Sequence, residues 1–402
     1  MKNFNWKAFC QKYLTTENIK MLILFIPLTI LLITQWRNGQ ISFSAFLDTS
    51  VLVSFILVFI SELAATMISN AVGKKYEDSS KLSTDYDALA KRYSREKLIE
   101  YHGVRFPVIC LASRPQHSSC FDIQIRFSDQ RYKLPKQIAD RSDHLMSAHN
   151  FSKVYNNTNI RINDLTIDRG TITLQYSMTT FYDSLITNRS MDYALPNNKT
   201  IREIYEPGPF LSRLSESKLS NHLGFNGFVE TADGKIIFVL RSNNVSIGKN
   251  TLADSIGASL KAKYCLDDDR KLTVAGISNA IRREIYDELR IPIDADINLC
   301  ENIFAFYRDI VEGGKPQFLF YYKCDQLTSE QFEQMFQADL ETNHIQKGNV
   351  IIDGAQFIYL SLPEIRQCAI LPGKLILPDG ETSYAMMPSA SASIVMLLEY
   401  LS

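Results

Sequence analysis

Three acidic residues, Glu284, Asp287 and Glu288, are spaced so that a helix would carry them on one face. An adjoining apolar stripe, which would pack onto a sheet, consists of Ile277, Ile281, Ile285 and Leu289. Like charges one turn apart repel each other. A hard divalent cation bound by carboxylate oxygens would offset this repulsion and could bridge to a phosphate. The alternative is a solvated acidic face with an Arg283–Asp287 ion pair.

The same segment resembles the second half of the Nudix box, whose pattern is G-x5-E-x7-R-E-U-x-E-E-x-G-U with U aliphatic. The matching residues are Arg283, Glu284, Ile285, Asp287, Glu288 and Ile291. The resemblance implies that Glu284, Asp287 and Glu288 bind Mg²⁺ or Mn²⁺ on the diphosphate of a nucleotide. It also implies a Nudix-like α/β/α sandwich with a mixed sheet in the C-terminal half.

The first half of the box is not preserved. Ala275 stands where the pattern has its first Glu, Asp269 where it has its first Gly, and Arg290 where it has its later Gly. A half-preserved box predicts a domain that binds a nucleotide without hydrolysing it efficiently. Residual metal-dependent pyrophosphohydrolase activity stays open, because three potential metal ligands remain.

Residues around the box are further candidates for nucleotide contacts. The predicted set is Arg241, Asn243, Ser255, Gly257, Ser259, Arg283 and Tyr322. Arg241 ends a predicted strand and suits a phosphate, although a surface arginine is an equally good interpretation. Asn243, Ser255 and Ser259 could hydrogen-bond a base or phosphate, and Tyr322 could stack on a base. Arg189 and Arg202 are weaker candidates.

Two apolar stretches near the N-terminus predict a pair of transmembrane helices. The first runs from Met21 to Thr34 and the second from about Phe43 to Val72, lengths that suit a bilayer. A secretory signal peptide is the alternative for the first stretch. Lysines flank the outer ends of the pair, so the positive-inside rule predicts that both termini and the soluble part are cytoplasmic. Glu62 would lie either at the inner interface or within the bilayer, where it would be a functional candidate.

Changes in composition divide the chain into four predicted parts. Residues 1–75 would form the transmembrane hairpin, 76–103 a linker helix, 104–200 a β-rich α+β module and 201–402 a Nudix-like domain. The predicted fold class is therefore two N-terminal transmembrane helices followed by an α+β cytoplasmic part. Glycine-containing turns predict hairpins at Asp233-Gly234, Gly313-Gly314 and Asp353-Gly354, and apolar spacing predicts helices at 277–289, 329–340 and 389–401.

Composition narrows the class of ligand. The chain has 402 residues and a formal net charge of −1, so no overall field attracts nucleic acid, and neither DNA nor RNA is predicted as a partner. A phosphate ligand must be held by a local arrangement of side chains. Seven cysteines without C-x-x-C spacing argue against a zinc site or a disulfide framework.

Two spans followed by such a soluble part, together with the sequence from Phe181 onward, resemble the SMODS-associated Nudix proteins of bacteria. The resemblance implies an inner-membrane effector of cyclic-oligonucleotide antiphage signalling (CBASS). Its Nudix-like domain would bind a cyclic nucleotide made by a partner nucleotidyltransferase. Activation would make a homo-oligomer that disrupts the lipid bilayer and kills the cell. The alternative is a membrane-anchored Nudix hydrolase of nucleoside diphosphate derivatives.

Overall fold

The computed structural model describes residues 82–147, 156–195, 199–241, 250–344 and 356–402. All of them belong to one structural unit, Ser80–Ser402. The first strands in chain order are β1 (Ile99–Tyr101), β2 (Val104–Phe106), β3 (Val108–Ser113), β4 (Asp122–Phe127), β5 (Thr158–Asp168), β6 (Thr171–Thr180), β7 (Gly224–Thr231) and β8 (Lys235–Leu240). The later strands are β9 (Leu252–Ala253), β10 (Ile256–Ser259), β11 (Ile303–Asp309), β12 (Lys315–Cys324), β13 (Gln356–Ser361), β14 (Ala369–Leu371), β15 (Lys374–Ile376) and β16 (Ser383–Ala385).

The α-helices are α1 (Tyr86–Arg92), α2 (Lys136–Ala139), α3 (Ser142–Ser147), α4 (Phe181–Leu185), α5 (Ile201–Tyr205), α6 (Ala262–Cys265), α7 (Val274–Leu289), α8 (Ser329–His344), α9 (Leu362–Gln367) and α10 (Pro388–Tyr400). Two 3₁₀ turns occupy Asn188–Ser190 and Leu299–Asn302. The described chain is therefore mixed α/β, with several separate sheets.

The largest sheet runs in the order β13-β8-β7-β12-β11-β3, with β10 paired to β7 and β9 paired to β8. Its central pair, β7 and β12, is parallel, and Gly224 lies opposite Gln317. Its other strand pairs are antiparallel. Because β7 and β12 are parallel, the starts of both strands lie at the same edge of the sheet.

Helices cover both faces of this sheet. Helix α7 begins after Thr273, whose side chain accepts a hydrogen bond from the Gly276 N–H, and ends at Arg290 in the left-handed region (φ 61°). Its apolar stripe packs against the aromatic residues Phe225, Phe318 and Phe320. Helix α10, buried on nearly every side, packs against the opposite face through Phe228, Phe238 and Tyr307.

Several predicted elements are confirmed. The turns at Asp233-Gly234 and Gly313-Gly314 join antiparallel strands, and their glycines have the positive φ that such turns require. The three predicted helices correspond to α7, α8 and α10. The hairpin at Asp353-Gly354 lies outside the described residues. Of the predicted linker helix, residues 82–103 are described; among them Tyr86–Arg92 is α-helical, and a two-stranded hairpin, β1-β2, follows it.

The predicted transmembrane architecture is not supported. Within the described ranges no helix is both long and apolar enough to cross a membrane. The longest, α7 and α8, have 16 residues each, fewer than the roughly 20 apolar residues of a typical span, and both carry charged side chains. The two predicted spans and Glu62 lie outside the described residues. The fold class is accordingly corrected to mixed α/β with several sheets, and the multi-pass inner-membrane location is not retained.

The main sheet takes strands from both sides of the predicted boundary at residue 200. Strand β3, from the predicted β-rich module, pairs with β11 through contacts such as Val108 opposite Asp309. The other long strands of that module form their own three-stranded sheet, in the order β4-β6-β5.

Candidate functional site

A row of polar residues crosses the edge of the main sheet where β7 and β12 begin. We call it the polar tract, and it consists of Arg189, Gly224, Asn226, Arg241, Gly257, Glu312, Lys315 and Gln317. Within it, Asn226 Nδ2 donates to the hydroxyl of Tyr307 at 2.6 Å and lies 3.5 Å from Gln317 Oε1. The tract is built from β7, β10 and β12, together with the ends of the adjacent turns.

Two glycines lie against the polar side chains, and one of them, Gly224, leaves no room for a Cβ atom. A Cβ atom on Gly224 would lie 2.9 Å from Gln317 Oε1 and 3.2 Å from Lys315 Nζ. A Cβ atom on Gly257 would lie 3.4 Å from Asn226 Oδ1 and 3.6 Å from Arg241 Nη1. Gly257 therefore lies near Arg241 and Asn226, and Gly224 lies near Gln317 and Lys315.

Lys315 and Arg189 share one carboxylate. Lys315 Nζ lies 2.9 Å from Glu312 Oε2, and Arg189 Nε lies 3.6 Å from the same oxygen. Burial alone would raise the pKa of Glu312, but the two cations outweigh it and hold that pKa below its ordinary value. Burial also lowers the pKa of Lys315, an effect that Glu312 opposes. Glu312 therefore stays ionised at neutral pH.

Arg241, at the end of β8, faces two carboxyl groups. Burial raises the pKa of Glu288 to about 8, and the negative charge of Glu284 adds to the rise while Arg241 opposes it. Burial also raises the pKa of Asp254 well above its ordinary value. Because Glu288 is mainly protonated at pH 7, it leaves the charge of the Arg241 guanidinium largely uncompensated.

Positive charge exceeds negative charge in the tract. Arg189, Arg241 and Lys315 are opposed by ionised Glu312 and by Asp309, whose pKa burial and Glu312 raise to about 6. The Nε atom of Arg241 is buried and has no hydrogen-bond partner among the described residues, whereas Arg189 Nε has the Glu312 carboxylate 3.6 Å away. Cationic N–H donors without an acceptor favour an anion, and a guanidinium suits phosphate in particular.

Two of the three predicted metal ligands on α7, Glu284 and Asp287, pair with other side chains, and Glu288 accepts a hydrogen bond from the Gly257 main chain. Glu284, which is 3% exposed, accepts a hydrogen bond from Lys261 Nζ at 2.5 Å. This ion pair raises the pKa of Lys261 against the effect of burial, whereas burial raises the pKa of Glu284 despite the lysine. Asp287 lies 3.5 Å from Arg283 and accepts a hydrogen bond from the Tyr264 hydroxyl at 3.3 Å.

These contacts do not fit a divalent cation shared by Glu284, Asp287 and Glu288. The Lys261 ammonium already pairs with Oε1 of Glu284, so a divalent cation would compete with it for that carboxylate. In the part of the chain that the structure describes, no group of three His, Cys, Asp or Glu side chains could hold a metal ion. Lys261 thus places a positive charge beside Glu284, one of the residues to which the box resemblance assigns Mg²⁺ or Mn²⁺.

The other predicted contact residues are dispersed. The Ser255 hydroxyl is committed to main-chain bonds with Val229 and Ile237. Ser259 pairs with buried His222 beside the tract. Arg283 is exposed next to Asp287. Asn243 lies outside the described residues.

Two further candidates lie away from the tract. Tyr322 sits toward the far end of β12, roughly 23 Å along the strand from Lys315, and packs partly against the core. Arg202 is buried and fully engaged with Asp192 and with the carbonyls of Ile310 and Val311. The prediction therefore contained Arg241, Gly257 and, more weakly, Arg189, but missed Asn226, Glu312, Lys315 and Gln317.

Fold and site together define an α/β protein with a partly buried cationic tract at the edge of its main sheet. No family model matches the chain, and no curated protein does. Among solved structures it is similar to the crystal structure of DR0079 from Deinococcus radiodurans. The match has 18% identity, covers 37% of this chain and 88% of that chain, and has a TM-score of 0.19. A score this low supports no conclusion about fold or function.

Proposed function

We propose that this chain binds a nucleotide through its phosphates in the polar tract. The observation that carries the proposal is an excess of positive charge: Arg189, Arg241 and Lys315 converge, and the buried Nε donor of Arg241 has no acceptor among the described residues. A phosphate would supply an acceptor for this donor and neutralise the excess charge. Asn226 and Gln317 beside them can donate and accept hydrogen bonds, as recognition of a sugar or base requires.

The ligand class follows from the resemblance of α7 and of the sequence after Phe181. Both favour a cyclic oligonucleotide second messenger, made by a partner nucleotidyltransferase, as the first nucleotide to test. The pairing of Glu284 with Lys261 favours binding without turnover over metal-dependent hydrolysis, because one of the three expected metal ligands already has a cation.

The test is a melting experiment on the purified 402-residue chain. Cyclic di- and trinucleotides, linear dinucleotides and inorganic phosphate would each be added with Mg²⁺ or with EDTA, and products would be measured in the same tubes. A ligand present at 100 times its Kd stabilises the folded state by about 2.7 kcal/mol. We expect such a shift for at least one cyclic nucleotide, equally with Mg²⁺ and with EDTA, and no product.

Variants connect the shift to the tract. Arg241→Met should raise the dissociation constant of the nucleotide by roughly 30- to 100-fold, because a charge-assisted contact with phosphate is lost. Arg105→Met, at an exposed position on β2, is the matched control and should bind like the wild type. Absence of any nucleotide shift, or equal binding by both variants, would refute the proposal. Mg²⁺-dependent product formation would assign hydrolysis instead.

A further inference from the structure

Strand β4 is the outer strand of the three-stranded sheet β4-β6-β5. It pairs with β6 in an unbroken parallel register, from Asp122 opposite Thr171 to Phe127 opposite Tyr176. Across the described ranges no other strand pairs with its outer edge. Proteins commonly protect such an edge with a proline, a bulge or a short length, but β4 contains no proline and keeps a regular register over six residues.

Hydrogen bonds at the two ends of β4 show which of its residues face outward. The Asp122 N–H donates to the Gly170 carbonyl at 3.0 Å, and the Ser128 N–H donates to the Tyr176 carbonyl at 2.7 Å. Main-chain groups alternate in direction along a strand. Even-numbered residues therefore bond to β6, and odd-numbered residues point their N–H and C=O groups away from it. The outward set is Phe121, Ile123, Ile125 and Phe127.

The sequence Phe-Asp-Ile-Gln-Ile-Arg-Phe, from Phe121 to Phe127, is symmetric in residue class about Gln124, except that its two charges have opposite sign. Antiparallel pairing of two copies about Gln124 would place Asp122 of one copy opposite Arg126 of the other. It would also place isoleucine opposite isoleucine and phenylalanine opposite phenylalanine. The strand is therefore complementary in charge to a second copy of itself.

This register also agrees with the direction of the hydrogen bonds. Ile123 faces Ile125 of the other copy, and both belong to the outward set, so each pair can exchange two main-chain bonds. About eight such bonds would form over the seven residues. Asp122 and Arg126 of the other copy would fall at a non-hydrogen-bonded pair, where facing side chains are closest.

Exposure along β4 fits the same partner. Asp122, Gln124 and Arg126 are exposed, whereas Ile123 and Ile125 are half-buried at the edge of the core. Phe127 is 59% exposed, unusual for so large an apolar side chain. In the self-paired register it would be covered by Phe121 of the other copy.

From charge, hydrogen-bond direction and exposure together, we infer that β4 binds β4 of a second copy, antiparallel about Gln124, to form a six-stranded sheet across a two-fold axis. An interface made by one short strand is small, and interfaces of that size are weak. The dimer is expected to have a dissociation constant on the order of 1–100 μM and to dissociate as salt concentration rises.

The test uses charge reversal on the purified 402-residue chain, with self-association followed by analytical ultracentrifugation. Asp122→Lys and Arg126→Glu each place like charges opposite one another twice in the dimer, so each alone should weaken association by about tenfold or more. Mixing the two variants restores two attractive pairs and should give a heterodimer about as tight as the wild-type dimer. Asp268→Lys, at an exposed loop position, is the matched control and should leave association unchanged.

A second measurement does not depend on charge. Gln124 lies on the proposed two-fold axis at a non-hydrogen-bonded pair, where the Cα separation suits a disulfide. Under mild oxidation Gln124→Cys should cross-link more than the wild type, whereas Gln130→Cys, beyond the strand, should not. A wild-type chain that stays monomeric up to about 300 μM would overturn the inference. The inference would also be overturned if both charge-reversal variants associated as tightly as the wild type, or if their mixture associated no more tightly than either variant alone.

Discussion

Glu288 is expected to make the stability of the protein depend on pH in a way that a single substitution removes. Its pKa moves from 4.5 in the unfolded chain to about 8 in the folded protein, chiefly because of burial. Between these values the folded state holds a proton that the unfolded state has released. Raising the pH through this window therefore costs stability, at up to about 1.36 kcal/mol per pH unit.

The magnitude follows from the two pKa values. Between pH 5.5 and pH 7.5, Glu288 alone should reduce the free energy of unfolding by about 2.5 kcal/mol. Glu288→Gln retains an acceptor for the Gly257 N–H but carries no titrating group, so this loss should disappear. The free energy of unfolding of the variant, minus that of the wild type, should therefore rise by about 2.5 kcal/mol from pH 5.5 to pH 7.5.

The assay is urea unfolding at pH 5.5, 6.5 and 7.5 at constant ionic strength, with the wild type, Glu288→Gln and the control Asp268→Asn. The informative quantity is the difference between variant and wild type at each pH, because every other titrating group cancels to first order. Parallel curves for the wild type and Glu288→Gln would refute the reasoning. They would show that the carboxyl is solvated in the folded protein and that Arg241 is already neutralised.

Three further outcomes are expected. Lys261→Met should destabilise the protein by about 2 kcal/mol in urea unfolding, because Glu284 loses its cation. Adding Glu284→Gln should recover most of this loss. If it does not, the loss came from packing and not from charge. Gly227→Ala should destabilise the folded protein by about 3 kcal/mol or more, because its Cβ would lie 2.1 Å from the Phe320 ring. Gly257→Ala should stay near the wild type in the same thermal melts. Equal destabilisation by the two variants would contradict this contrast. A fragment of residues 201–402 lacks β3, so the exposed edge of β11 should make it aggregate, as measured by light scattering. A fragment of residues 80–402 should not aggregate. A monodisperse shorter fragment would disprove the role of β3.

The local elements of the fold were readable from the sequence because their signals are local. The apolar stripe of α7 and the Asp233-Gly234 turn lie within single windows of chain, and both are present as predicted. The membrane prediction rested on apolar length in a segment outside the described residues. The helices that are described have neither the length nor the uniform apolarity of a span.

The site was only partly predictable, because its residues meet through pairing between distant segments. Arg241 was found because it ends a strand next to the box, and it does lie beside Glu288. Lys315 carries no local signal; it reaches the tract because β12 lies parallel to β7, which brings it beside Gly224. The carboxylates of α7 share a face as predicted, but Lys261, 23 positions earlier, binds Glu284. No spacing rule along a helix could have revealed that ion pair.

The parallel pairing of β7 and β12 has a kinetic consequence. The two strands are separated by about 90 residues, so bringing them together costs about 2 kcal/mol more in chain entropy than closing a loop of about 10 residues. Such long-range pairing forms late and slowly in folding. Because the polar tract exists only once this pair has formed, a nucleotide bound there cannot assist the early steps. The nucleotide should leave the folding rate nearly unchanged and lower the unfolding rate. The nucleotide-bound protein should therefore differ from the free protein mainly in a longer lifetime of the folded state.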